Sequence, residues 1–470
     1  MKIKTDELLN KIAIIMITFS ILFQFFLIGL NKGPFSGFMW DEYEYLVIAK
    51  NLKDGIGYTS DRPPAFPILI ALCYQVLGDS FKNVRYITPL LFATNLISLY
   101  HFTSKLYNKK TGAVATILFS TLPLSYFLST RLLTETMFLS FFILSLTTFF
   151  FALEKNIKYL LLTGIFTAFS ILIRFTGVTL LFIYLFYILI TRNFKLFFSH
   201  YFYASFFLFF LILLPWFLIN LENYKNPLGS FFLNLKSNRI QSVEKINIPL
   251  LNFKIDFLPP IYYFFALPLV GSILFFTTIF YFLFYKEIGK REILLILVFF
   301  VTFFAQLLFL GRASIRFLNE LSVVFAIFSA LFFVKRFQLK MKKFLVFVFL
   351  VWFINLFLAI EATIAYGDIK DILRKPNFEL YIKTKEYIEQ NLPEESKILT
   401  NIVPVVRDTG RDAINIIFNE ESFDKQLKYV DYVIFFNEFF QEGTMFIDKK
   451  ENLELIHNIN RKIFIYKVCK

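Results

Sequence analysis

The chain has 470 residues, of which 57% are hydrophobic, 20% aromatic and only 18% charged. Apolar runs of about 18 residues or more recur along it, and each can cross a hydrocarbon core of roughly 30 Å, which excludes an ordinary soluble protein. The net charge of +14 is spread over short segments between these runs. It forms no patch with interleaved aromatic residues, so nucleic acid is excluded as a partner.

Eleven membrane spans are predicted in chain order. The first, 12–30, follows three lysines and lacks a small-residue cleavage site, so we expect a retained anchor. A long polar loop, 31–85, comes next. The remaining spans are predicted near 86–104, 112–129, 136–153, 159–173, 175–191, 197–219, 259–285, 292–310, 317–334 and 344–360.

The loops between the spans predict the orientation. With the N-terminus in the cytoplasm, the inner loops carry fifteen cations against only Glu154 and Glu287. This asymmetry follows the positive-inside rule, so the spans and the orientation support each other. The cations are Lys105, Lys109, Lys110, Lys155, Lys158, Arg192, Lys195, Lys286, Lys290, Arg291, Lys335, Arg336, Lys340, Lys342 and Lys343.

The last part of the chain, 361–470, has a different character. Residues 380–391 predict an amphipathic helix. Short strands are predicted at 397–401, 432–436 and 462–468. We therefore expect an α-helical polytopic membrane domain, 1–360, in the cell membrane, followed by a small α/β domain on the outer face.

Several charged residues lie at the outer ends of the predicted spans, against the charge rule. The acids are Asp41 and Glu42, after the first span, and Glu135, at the start of a later one. The arginines are Arg62, Arg131, Arg174, Arg312 and Arg316. Ionisable groups at a membrane boundary are costly to keep, so by default they suggest function.

The chemistry of these groups suggests a reaction. Arginine presents a rigid fork of donors that suits phosphate oxygens. A carboxylate within hydrogen-bond reach of a hydroxyl or amine can act as a general base. Together they suit attack on a sugar carbon whose leaving group is a lipid phosphate, because such a leaving group needs charge stabilisation more than protonation.

Each acid also has a structural interpretation. Glu135 could cap the following helix, since acids favour helix N-termini. Asp41 and Glu42 could begin a helix over 43–51 in the same way. For Asp41 the roles of helix cap and catalytic residue stay equally open, whereas for Glu42 the helix cap is favoured.

The arginines and the second outer loop have structural alternatives too. Taken alone, Arg131 is better explained as a topology determinant or as a contact to lipid headgroups. Arg62 could simply form a salt bridge with Asp61. Arg174 is harder to explain in this way because it interrupts an apolar stretch. The basic residues of the loop 220–258 are better explained as solvated surface charges. The histidines and cysteines show no metal-ligand spacing, so no metal site is predicted.

The order of the motifs resembles a known group of enzymes, the protein O-mannosyltransferase and aminoarabinose-transferase type of GT-C glycosyltransferase, which use polyprenyl-phosphate sugars. The motifs are Trp40-Asp41-Glu42, Gly57-Tyr58, Arg62-Pro63-Pro64-Ala65-Phe66-Pro67, Leu132-Leu133-Thr134-Glu135, Ile173-Arg174-Phe175-Thr176-Gly177, Arg316-Phe317-Leu318 and Thr409-Gly410-Arg411. The aminoarabinose-transferase branch has a lysine where this chain has Arg62, and the three-motif insert of eukaryotic mannosyltransferases is absent.

The resemblance implies roles for these residues. Asp41 would be the catalytic base, and Glu42 and Glu135 would hold the acceptor or order the site. The donor phosphate would be bound by Arg62, Arg131, Arg174 and Arg316. No cofactor is assigned, and a divalent cation stays open.

The sequence thus predicts an inverting membrane glycosyltransferase. It would move one sugar from a dolichyl- or undecaprenyl-phosphate carrier to a protein, lipid or glycan acceptor on the outer face. A ligase or polymerase of lipid-linked glycans shares the outer site and is the first alternative. A lipid-linked sugar flippase is the second, although neither mid-membrane charges nor two similar halves are evident.

Overall fold

The structure is a computed structural model. It describes residues 2–30, 40–55, 58, 62–78, 81–233, 245–248, 253–256, 266–285, 288–306, 315–336, 341–402, 405–406, 409, 411–416, 420–436 and 450–469. Seven residues of the sequence motifs and the charge pattern lie outside these ranges: Gly57, Asp61, Lys286, Glu287, Arg312, Lys340 and Gly410.

Helices dominate the chain as far as Asn391. They are α1 (Lys2–Leu30), α2 (Trp40–Lys53), α3 (Ala65–Leu77), α4 (Phe81–Val84), α5 (Ile87–Leu106), α6 (Lys109–Phe119), α7 (Pro123–Ser129), α8 (Thr134–Glu154), α9 (Tyr159–Ile173), α10 (Thr179–Thr191), α11 (His200–Tyr224), α12 (Ile273–Phe284), α13 (Lys290–Ala305), α14 (Leu321–Arg336) and α15 (Met341–Asn391). A two-stranded hairpin, β1 (Lys245–Ile248) with β2 (Phe253–Asp256), follows α11. Short 3-10 helices cover Phe175–Val178, Phe194–Phe198 and Ile315–Leu318.

The apolar helices identify a membrane protein. Among the described residues, three helices are long and apolar enough to cross a bilayer: Leu9–Gly29, Thr134–Glu154 and His200–Tyr224. Helices α6 and α7 meet at an angle of 69° and would form a fourth span if they cross together. Several shorter apolar helices accompany them, so the count of eleven spans stays a prediction.

The segment predicted as a long polar loop, 31–85, contains an apolar helix, α3. Its side chains Ile68, Leu72 and Val76 recur every fourth residue and are 45%, 53% and 82% exposed, so they form one apolar stripe. The predicted polar loop therefore includes an apolar helix that the sequence interpretation missed. Pro67 does not prevent the helix, because an N–H in the first turn has no intrahelical partner to lose.

Hydrogen bonds between helices fix the ends of the segments that carry the charged residues. The Asn95 amide of α5 donates to the Thr136 carbonyl of α8 at 3.0 Å. Ser125 of α7 donates to the side-chain oxygen of Asn319 at 2.8 Å. Such bonds satisfy polar groups that have no access to water inside a membrane. They hold the start of α8 and the turn before α14 in place.

The second of two compact units contains Ile364–Lys470 and is built on a mixed five-stranded sheet. Strands β4, β3 and β5 run parallel, and β7 and β6 continue the sheet antiparallel. The predicted strands 397–401, 432–436 and 462–468 are confirmed as β3, β5 and β7. The strands and the helix α16 are β3 (Lys397–Thr400), β4 (Asp412–Asn415), α16 (Glu420–Leu427), β5 (Tyr432–Phe436), β6 (Leu453–Ile459) and β7 (Ile463–Val468).

Arg411, the last residue of the Thr-Gly-Arg motif, closes the C-terminal end of α15. Its guanidinium is buried and donates to the carbonyls of Leu392 at 2.7 Å, Thr409 at 2.9 Å, Pro393 at 3.3 Å and Glu389 at 3.5 Å. The last carbonyls of a helix have no intrahelical donor, and a cation there also complements the helix dipole. The arginine of this motif therefore has a structural role in the second unit.

Candidate active site

Asp41 lies in the first turn of α2 and contacts two arginines from distant parts of the chain. Its Oδ1 lies 3.4 Å from the Nη2 of Arg62, and its Oδ2 accepts a hydrogen bond from the Nη2 of Arg316. The carboxylate is 15% exposed, so it is sheltered but reachable. Asp41 therefore lies at a helix start and beside two arginines at once, and its role as a base stays a prediction.

Arg62 is held in place by a second carboxylate, Glu44. The two groups form a bidentate pair, with Nε–Oε1 at 3.2 Å and Nη2–Oε2 at 2.8 Å. Burial by itself disfavours the charged guanidinium, but the Glu44 and Asp41 carboxylates outweigh it and hold the pKa of Arg62 well above its ordinary value. Burial also raises the pKa of Tyr45 to about 12, so its hydroxyl stays neutral beside this pair.

Glu135, at the start of α8, bridges the other two arginines. Its Oε1 lies 3.5 Å from the Nη1 of Arg174 and 3.6 Å from the Nε of Arg316. The Glu135 side chain is only 3% exposed, so both pairs are shielded from water. Arg174 and Arg316 also lie over the ring of Phe317, at 4.8 and 5.1 Å from its centre.

The position of Arg174 follows from a break after α9. Arg174 is extended, with φ −158° and ψ 131°, and the chain then turns back over the end of the helix in a 3-10 turn. A Cβ on Gly177 would lie 2.6 Å from the Ser170 carbonyl carbon, so only glycine fits this close approach. The Arg-x-x-Gly spacing is thus the sequence signature of a turn that projects Arg174 into the site.

These five charged residues line one cavity of about 600 Å³ of empty space, part of it open to solvent. The charged lining residues are Asp41, Arg62, Glu135, Arg174 and Arg316. Pro63, Leu133 and Phe317 contribute apolar walls. A cavity lined by a few convergent charged groups has the character of a small-molecule site.

Two of the predicted site residues do not line this cavity. Glu42 is fully buried, and its Oε1 accepts a hydrogen bond from the backbone N–H of Leu132 at 2.6 Å. Arg131 is 1% exposed and lies 5.1 Å from the centre of the Phe127 ring. Glu42 thereby connects α2 to the turn before α8, in which Arg131 lies. The roles assigned to both residues with substrate stay predictions.

The sequence interpretation missed two further acids of the site. Glu44 lies three residues after Asp41 on α2, so a helical period could have placed it on the same side. Glu320 is 2% exposed, and its carboxylate oxygens accept no hydrogen bond from other residues of the described part. It lies near Arg174 and Glu135. No local pattern distinguishes Glu320 from an ordinary residue at the start of α14.

No three side chains of His, Cys, Asp or Glu converge as metal ligands in the part of the chain that the structure describes. The carboxylates of the cavity instead face guanidinium groups.

Comparisons with known proteins place this geometry in a structural context. Residues 61–219 match the model of the dolichyl-phosphate-mannose-protein mannosyltransferase family. ArnT from Cupriavidus metallidurans, solved with bound undecaprenyl phosphate, superposes with a TM-score of 0.64 over 98% of this chain and 97% of its own, at 10% identity. The chain therefore has the fold of ArnT.

A second solved structure has a similar fold. AglB from Archaeoglobus fulgidus is an oligosaccharyltransferase solved with an inhibitory peptide and a dolichol-phosphate. It superposes with a TM-score of 0.57 over 91% of this chain and 69% of its own, at 15% identity. No curated protein sequence matches the chain. The family match contains Arg62, Glu135 and Arg174, whereas Asp41 and Arg316 lie outside it.

Proposed function

We propose that this GT-C protein is an inverting glycosyltransferase. It moves a monosaccharide from a dolichyl- or undecaprenyl-phosphate carrier to a protein, lipid or glycan acceptor on the outer face of the cell membrane. The N-terminus is cytoplasmic and the C-terminal α/β domain is extracytoplasmic. The observation that carries the proposal is the placement of Asp41 between Arg62 and Arg316 in one cavity.

The arginines of the cavity supply the recognition of the phosphate. Arg62, Arg174 and Arg316 approach the same space from three separate segments. Charge-assisted hydrogen bonds from guanidinium to phosphate are short and roughly twice as strong as neutral ones. Three such groups stabilise the negative charge that develops on the leaving phosphate.

Asp41 supplies the base. Its carboxylate takes the proton of the acceptor hydroxyl or amine while the acceptor atom forms a bond to the anomeric carbon. The bond between that carbon and the phosphate oxygen breaks, and its electron pair leaves with the polyprenyl phosphate. Attack from the side opposite the phosphate inverts the anomeric configuration. Glu135 keeps Arg174 and Arg316 oriented during the step.

A reconstituted transfer assay tests the proposal. The purified chain is placed in liposomes with undecaprenyl- or dolichyl-phosphate carriers that bear one radiolabelled sugar, together with extracts of acceptor. The proposal expects free polyprenyl phosphate and acceptor that carries one added sugar. A parallel reaction supplies carriers that bear a preassembled glycan, and transfer of that whole glycan would favour a ligase. Movement of the carrier between leaflets without transfer would favour a flippase.

Variants connect the result to the cavity. Arg316→Ala removes a guanidinium from the site, and we expect transfer to fall about 100-fold or more. Arg336→Ala is the matched control, because Arg336 is an exposed residue in the last turn of α14. Equal transfer by the two variants would overturn the assignment of the cavity.

A further inference from the structure

The candidate site is nearly neutral although it contains three arginines. In the described residues, Arg62, Arg174 and Arg316 face three carboxylates within 3.6 Å, those of Asp41, Glu44 and Glu135. An anionic ligand therefore meets guanidinium groups whose charge is already balanced, and it has to compete with a carboxylate for them.

Asp41 is the carboxylate that can leave with least disturbance. Arg62 keeps its bidentate pair with Glu44, and Arg316 keeps Glu135, when Asp41 moves away. Asp41 is also more exposed than Glu135, at 15% against 3% of the side chain. The two arginines that hold Asp41 thus stay positioned for a phosphate that takes its place.

The paired state of Asp41 is a poor state for a base. A carboxylate between two guanidinium groups is stabilised in its charged form, and it accepts a proton less readily than an isolated carboxylate. Its oxygens are also occupied by Arg62 and Arg316 rather than by an acceptor. The same residue cannot serve fully as counter-ion and as base at one time.

We propose that binding of the donor phosphate releases Asp41 for catalysis. The phosphate oxygens replace the Asp41 carboxylate on Arg62 and Arg316, and Asp41 turns to the acceptor. Binding is then ordered, with the lipid-linked donor first and the acceptor second. This inference rests on the proposed function and adds to it the regulation of the base by the donor. Asp41 then takes no proton from an acceptor before the leaving phosphate is bound.

The release of Asp41 is tested by the binding of undecaprenyl phosphate, which is measured by equilibrium titration of the purified chain. Asp41→Asn removes the competing charge, so we expect binding about three- to tenfold tighter than in the wild type, although transfer is lost. Glu154→Gln, at an exposed acid on α8, is the matched control and should leave the affinity unchanged. Unchanged or weaker binding by Asp41→Asn would overturn the release.

A structure of the wild-type chain with undecaprenyl phosphate gives a second test that needs no variant. We expect phosphate oxygens within hydrogen-bond distance of Arg62 and Arg316, and Asp41 more than about 4 Å from both guanidinium groups. Asp41 still paired with either arginine beside the bound phosphate would overturn the release alone. A wild-type chain that binds no polyprenyl phosphate and transfers no sugar would overturn the proposed function itself.

Discussion

Asp41 and Arg316 form an ion pair although they lie 275 positions apart in the chain. The pair joins the first helix of the loop after α1 to the 3-10 turn before α14. Glu135 completes the connection, because it contacts Arg316 from the start of α8. The cavity therefore depends on the packing of segments from the beginning, the middle and the end of the helical unit.

The shape of the Arg62 side chain should matter as much as its charge. Lysine keeps the charge but cannot form the bidentate pair with Glu44 or grip a phosphate with two parallel bonds. We expect Arg62→Lys to raise the donor KM about tenfold and to change kcat much less. Arg336→Lys controls for the substitution at an exposed position. An unchanged donor KM in Arg62→Lys would remove Arg62 from donor binding.

Glu42 provides a way to separate structure from chemistry in the acidic motif. Its carboxylate accepts the buried N–H of Leu132, and a glutamine oxygen can still accept that bond. We expect Glu42→Ala to lower stability by about 2 kcal/mol, because a buried donor loses its partner, and Glu42→Gln to cost less. Thermal unfolding and the transfer assay measure both variants.

The two outcomes for Glu42 are distinct. If Glu42 is structural, Glu42→Gln keeps most of the transfer activity. A folded Glu42→Gln protein that has lost transfer would show that the negative charge itself takes part in the reaction.

Gly177 should tolerate no side chain. A Cβ there would lie 2.6 Å from the Ser170 carbonyl carbon and 2.7 Å from the Ile171 nitrogen, and backbone atoms cannot rotate aside. We expect Gly177→Ala to lower stability by about 1–3 kcal/mol and to displace Arg174, with loss of transfer. Gly29→Ala is the control, since its added Cβ would meet only the Tyr86 hydroxyl at 3.6 Å. Equal unfolding temperatures of the two variants would contradict this account of the turn.

The sequence is informative about the site because the charged residues of the site interrupt an otherwise apolar sequence. Asp41, Arg62, Glu135, Arg174 and Arg316 stand out from apolar runs, and their membrane depth can be estimated from the spans. The structure brings all five around one cavity. What they do in the reaction is a separate matter, which the proposed variants address.

Other features of the fold had no such contrast. Glu44 lies in a polar helix, where one more acidic residue does not stand out in the sequence. Its ion pair with Arg62 depends on how α2 packs. The burial of Arg131 also depends on tertiary packing, because charge at a helix end predicts exposure. The apolar helix α3 was hidden by the prolines at its start. In the second unit, β3, β5 and β7 are apolar enough to predict, whereas β6 is largely exposed.

Arg411 should be important for the stability of the second unit and not for the chemistry. Lysine in its place keeps the charge but cannot reach four carbonyls at once. We expect Arg411→Lys to lower the stability of this unit by about 2–3 kcal/mol, with faster amide exchange near Leu392. Arg461→Lys, at an exposed position, controls for the change. Full protection of the Leu392 region in Arg411→Lys would contradict the helix-end role.

The most direct test of the central claim is the rate of sugar transfer by Asp41→Asn under saturating donor. Asparagine keeps the size of the side chain and removes the base, and a positioned general base contributes about 10²–10⁴-fold to a rate. The account predicts a loss of transfer in that range by a protein that is folded and still binds undecaprenyl phosphate. Transfer at the wild-type rate would contradict it.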